Sequence, residues 1–86
     1  MQKKLVVLVK EIDHRQGLTT QRYLAKDSSG LYTVCKERDL QTKALTFFSR
    51  RLATIAIKDA EKQITQFGAM MREPVEYVFF IEEKIF

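Results

Sequence analysis

The chain has 86 residues, 45% of them apolar and 30% charged, with three glycines and one proline. Those numbers fit one domain over residues 1–86 with one thin core, and they exclude a linker or a low-complexity chain. Fifteen basic residues against eleven acidic ones give a net charge of +4 with no basic run. That describes a mildly basic surface, short of the imbalance of a strong polyanion binder.

Residues 5–9 (LVVLV) are an unbroken, β-branched run, extended by mixed residues to Asp13. This reads as a strand covered on both faces near its start. Five residues are too few for a signal-peptide core or a membrane span, and the single cysteine, Cys35, allows no intramolecular disulfide. An intracellular, cytoplasmic and reducing location is therefore expected, with no membrane partner.

Residues 14–20 (HRQGLTT) read as a polar loop. Residues 22–26 and 31–36 flank Asp27, Ser28, Ser29 and Gly30, which suit a four-residue hairpin loop. In that hairpin Tyr23 and Ala25 share one face and Leu24 takes the other. Residues 37–42 read as a loop.

Residues 44–48 (ALTFF) are ambiguous. A helix would align Leu40, Ala44, Phe47 and Phe48. A strand is preferred, because Thr46 and two aromatics are poor helix formers together and Ser49 is a good cap. Residues 52–57 offer a competing strand, which would delay the helix to about Asp59.

The clearest element spans residues 50–67. Ala53, Ala56, Ile57, Ala60, Ile64 and Phe67 recur at the helical period, with Ser49 before them and Gly68 behind as a stop. Ile55 is the one apolar residue left on the polar side. After the break at Arg72, Glu73 and Pro74, residues 75–81 read as a final strand. Tyr77, Phe79 and Ile81 lie on one face of it, Val78 and Phe80 on the other. The expected class is α+β: a mostly antiparallel sheet of four to five strands with one long helix on one face, in the order β-β-β-β-α-β.

One helix covers one face of a sheet. The other face of an antiparallel sheet is normally polar. Here Val6 and Leu8, with Val78 and Phe80, are left for the uncovered face. Exposed apolar surface of that size marks an interaction site. Loops, sheet curvature or the tail Ile85–Phe86 are the alternative cover.

Chemistry is sparse. His14 lacks an orienting partner in the sequence, and Cys35 beside Lys36 reads as a half-buried structural thiol. Glu73, Glu76, Glu82 and Glu83 read as solvation of a strand edge. The glycines are scattered, so no phosphate loop is present. No metal, cofactor or catalytic residues are assigned. The function expected is therefore a non-enzymatic protein-interaction or regulatory module, binding a protein partner or itself as a homodimer. Small chains of this kind are common as accessory proteins of phages and other mobile elements. The alternative is a nucleic-acid-binding protein that uses Arg50, Arg51, Lys58 and Lys62 on the exposed helix face. On that reading Tyr23, Tyr32 and Tyr77 would offer stacking surfaces on the open sheet face. A small enzyme is the third and weakest reading.

Overall fold

A computed structural model describes residues 3–67 and 76–86 of the chain. The stop at Gly68, the side chains of Thr65 and Phe67, the break at residues 72–74 and Val75 lie outside the described residues.

Four strands form one antiparallel sheet in the order β3-β2-β1-β4. They are β1 (Lys3–Asp13), β2 (Leu18–Lys26), β3 (Tyr32–Cys35) and β4 (Glu76–Ile85). The long helix α2 (Arg50–Phe67) packs on one face, and a short helix α1 (Leu40–Lys43) precedes it. The α+β class, the antiparallel sheet and the single long helix match the sequence expectation.

β1 and β2 form a tighter hairpin than expected. Asp13 pairs with Leu18, so Leu18, Thr19 and Thr20 are strand and not loop. Asp13 makes this possible. Its Oδ1 accepts the N–H groups of Arg15 and Gln16 at 3.0 and 3.3 Å, and Gly17 takes φ 68°. Local carboxylate bonding and a left-handed glycine close a turn in four residues. The second hairpin forms as expected. Asp27 Oδ1 accepts the Ser29 hydroxyl at 2.7 Å and the N–H groups of Ser29 and Leu31, and Gly30 takes φ 85°.

Residues 44–48 are a correction. They are extended, yet they form two isolated bridges, Ala25 with Ala44 and Leu5 with Phe47, in place of a strand. The β1–β2 ladder runs only from Leu8 and Tyr23 toward the turn. Beyond it the two strands separate, and residues 44–47 fill the wedge. Leu45 N–H donates to Leu24 O and Phe47 N–H to Leu5 O, both at 2.9 Å. The segment bonds one neighbour and then the other, so no continuous ladder develops. Residues 37–42 are the second correction: a 3-10 turn (Glu37–Asp39) followed by α1 replaces the expected loop.

α2 begins where the cap residue predicts. Ser49 Oγ accepts Leu52 N–H at 3.3 Å, and Ser49 O accepts Ala53 N–H at 3.2 Å. Residues 52–57 are thus helix, not strand. The stripe is realised: Ala53, Ala56 and Ala60 are buried, and Ile57 and Ile64 are half-buried. The alanines let the helix axis come close to Val7, Val9 and Leu24. Tyr77, Phe79 and Ile81 pack on the edge of this cluster.

The opposite face forms a second cluster of Val6, Leu8, Tyr23, Ala25 and Cys35. Leu40 and Ala44, one helical turn apart, lie on it together with Phe86. The chain therefore provides much of its own cover for the face that the helix leaves bare.

Candidate functional site

The second face decides what surface remains for a partner. Its rows follow from the strand register: Cys35, Tyr23, Leu8 and Phe80 lie side by side across all four strands. Val6 and Leu8 are buried at 0% and 6% exposure, so they present no free surface. Val78 is half-buried, and Phe80 is 44% exposed. Of the four residues expected at the docking surface, Phe80 alone is exposed and Val78 is partly so.

Lysines screen the aromatic rings on this face. Lys10 Nζ stands 5.2 Å from the Phe80 ring centre, Lys4 Nζ 5.2 Å from Phe86, and Lys84 Nζ 5.7 Å from Tyr23. Each ammonium faces a ring quadrupole while its methylene stem covers apolar surface. A hydrogen bond with the Tyr23 hydroxyl, ahead of other causes, holds the Lys84 pKa above its ordinary value. Lys84 also pairs with Glu82 at 3.4 Å.

What stays open is an edge. β4 is ten residues long and lies at the margin of the sheet. Its inner side pairs with β1 from Lys3 and Ile85 to Ile12 and Glu76. Among the described residues no strand lies on its outer side. Residues 77–81 (YVFFI) carry no charge, and charge gathers only at Glu76 and at Glu82, Glu83 and Lys84. The opposite margin differs. β3 has four residues, and Tyr32 N and O are both bonded at 2.8 Å by the Gln63 side chain. Among the described residues one margin is short and capped, and the other is long, apolar and without a neighbouring strand. Long uncapped edges are templates for pairing with another chain.

The remaining candidates fall elsewhere. His14 meets a partner that the sequence did not reveal: its Nε2 lies 2.7 Å from Glu76 Oε1, both side chains exposed. The β1–β4 register brings the two together across 62 positions, which local patterning cannot show. Cys35 is a buried thiol, raised in pKa by desolvation and then by Asp39, with Lys43 acting the other way. Among the described residues no group of three or more His, Cys, Asp or Glu is placed to hold a metal. No helix there is long and apolar enough to cross a membrane. Tyr23, Tyr32 and Tyr77 do not share a platform, since Tyr23 belongs to the second face and the other two to the helix face. Arg50, Arg51, Lys58 and Lys62 are all exposed, and none forms an ion pair among the described residues.

Comparison of the chain with protein families, curated proteins and solved structures found no match, so the open β4 edge and the exposed basic helix stand as the features from which function is argued.

Proposed function

We propose that the chain is a protein-interaction module of the small accessory or regulatory kind, and that it works as a homodimer paired along β4. The observation that supports this most is the ten-residue outer strand with its uncharged 77–81 run. A long outer side with no neighbouring strand among the described residues, beside the apolar side chains of residues 78–81, suits strand addition. In that mode main-chain bonds give affinity and alternate side chains give specificity.

A second copy fits the centre of this strand and its charged positions 76 and 84 in one antiparallel register. When Phe80 opposes the partner's Phe80, Glu76 opposes the partner's Lys84, and Phe79 opposes the partner's Ile81. Both charge pairs are then favourable, and each apolar pair keeps to its own sheet face. A slip of two residues one way sets Glu76 against the partner's Glu82. A slip the other way sets Phe80 against the partner's Glu82. The central register avoids both, and it sets Val78 against the partner's Glu82 and Tyr77 against the partner's Glu83.

Light scattering tests the reading. The chain is expected at about twice its 10.1 kDa mass. Phe80→Glu and Val78→Asp are each expected to return it to the single-chain mass with an unchanged circular dichroism spectrum. A wild-type chain that stays monomeric at high micromolar concentration overturns the proposal.

A further inference from the structure

A cleft of about 810 Å³ opens where the start of β1, the 46–50 turn and the end of β4 meet. Lys3 and Arg50 bring two cations to its wall, against one carboxylate, Glu83, and Lys4 lines it with its ammonium held over the Phe86 ring. Glu83 is already paired with Lys3 at 3.6 Å. Phe48 lines the same cleft and is 101% exposed, as open as in an isolated peptide. Phe47 beside it packs on the core, so the turn turns one aromatic in and the other out.

The outer side of α2 continues both chemistries. Arg51, Lys58 and Lys62 stand at i, i+7 and i+11, which is one row of the helix. Leu52 and Ile55, both exposed, form the neighbouring row and continue the apolar line from Phe48 until Asp59 ends it. A basic track and a short apolar track thus run side by side out of a basic cleft. Ile55, unexplained by the core stripe, has a place in this pattern.

We infer that this surface binds single-stranded nucleic acid, with phosphates along Lys3, Arg50 and Arg51 and unstacked bases against Phe48 and Leu52. A single strand carries those two chemistries in parallel, anionic on one side and apolar on the other. A duplex hides its bases and would leave the apolar track unused. None of the contacting residues belongs to β4, although Glu83 of β4 lines the cleft, and the binding test does not depend on the mass of the chain.

The test is fluorescence anisotropy with an end-labelled oligothymidylate of about twelve nucleotides, titrated with the full chain from about 50 to 200 mM salt. Log affinity is expected to fall linearly with log salt. Arg50→Gln is expected to reduce the slope by about 0.7, the share of one phosphate contact on a single strand. Phe48→Ala is expected to weaken binding about tenfold with the slope unchanged, since stacking is lost and no phosphate contact is. Phe48 touches no core residue through its exposed ring, and circular dichroism confirms the fold of each variant. Four results overturn the inference: no binding at the lowest salt, equal binding of a duplex of the same length, full affinity in Phe48→Ala, or equal displacement by an acidic amphipathic peptide. The last would assign the surface to a protein.

Discussion

The carboxamide of Gln63 and the backbone of Tyr32 form a closed ring of two hydrogen bonds. Tyr32 N–H donates to Gln63 Oε1 and Gln63 Nε2 donates to Tyr32 O, each at 2.8 Å. Both Tyr32 groups are used up by the helix, on the side that faces away from β2. The side chain of Gln63 stands in for the next strand. It ties α2 to the sheet margin and closes that margin to pairing. Gln63→Ala is expected to lower stability by about 1–2 kcal/mol, the loss of two part-buried bonds whose orphaned groups water reaches. Gln63→Glu keeps the acceptor and loses the donor, so it falls between the two. Urea denaturation followed by circular dichroism measures both.

The dimer register carries its own check. Glu76→Lys sets like charges against the partner's Lys84 at two symmetry-related places. The expected loss is about 1–2 kcal/mol of association free energy. Adding Lys84→Glu to the same chain restores the opposite charges and returns most of that loss. Sedimentation equilibrium of the single and double variants reads the outcome. A double variant no tighter than the single one removes this register.

The close approach of helix and sheet rests on alanine. Ala53 and Ala60 are fully buried against Val7, Val9 and Leu24. Ala53→Leu is expected to cost about 1–3 kcal/mol, because three added carbons must displace a packed helix. Ala53→Gly costs about 1 kcal/mol through helix propensity alone. Thermal unfolding distinguishes an overpacked core from a weakened helix by the difference between the two.

Acid should act on the second hairpin. The Ser29 hydroxyl, then the Leu31 N–H, holds the exposed Asp27 carboxyl below its ordinary 3.8. A lowered folded pKa means the contribution is fully present above the ordinary aspartate range. It is lost as the pH falls through the lower folded value. The stability gap between wild type and Asp27→Asn is therefore expected to be level above about pH 5 and to close toward about pH 2. Denaturant midpoints across that range measure it. A gap that stays constant into acid would contradict the bonding at Asp27.

Cys35 should be a slow thiol. Burial first, and Asp39 second, raise its pKa, and Lys43 offsets only part of this. The thiolate is the reactive form. At about pH 8 its reaction with an aromatic disulfide reagent is expected to be well slower than that of the urea-unfolded chain. Asp39→Asn should quicken it modestly. Equal rates for folded and unfolded chains would show an exposed Cys35.

Much of the fold was legible because its signals are local. The alanine–isoleucine stripe of α2 and its Ser49 cap repeat at 3.6 residues, a property of consecutive positions. The hairpin at Asp27 and Gly30 is chemistry within four residues. Residues 44–48 resemble a strand in sequence because their alternation is real: Leu45 and Phe47 face the helix side and Ala44 the other. What the alternation cannot show is whether a neighbour runs alongside. Here β1 and β2 part, and the segment is left wedged between them.

The sequence by itself determined that apolar side chains stand on both faces of β1 and β4, since the two-residue period of a strand assigns them without any partner. The tertiary structure alone decided which of them are covered. Val6 and Leu8 are buried beneath a cluster with Leu40, Ala44 and Phe86, side chains 32 or more positions away, whereas Phe80 lies on the outermost strand and keeps its surface. Burial is a sum over contacts distant in the chain, and strand order sets which contacts exist. Periodicity carries the facing of a residue; only the assembled sheet carries its neighbours.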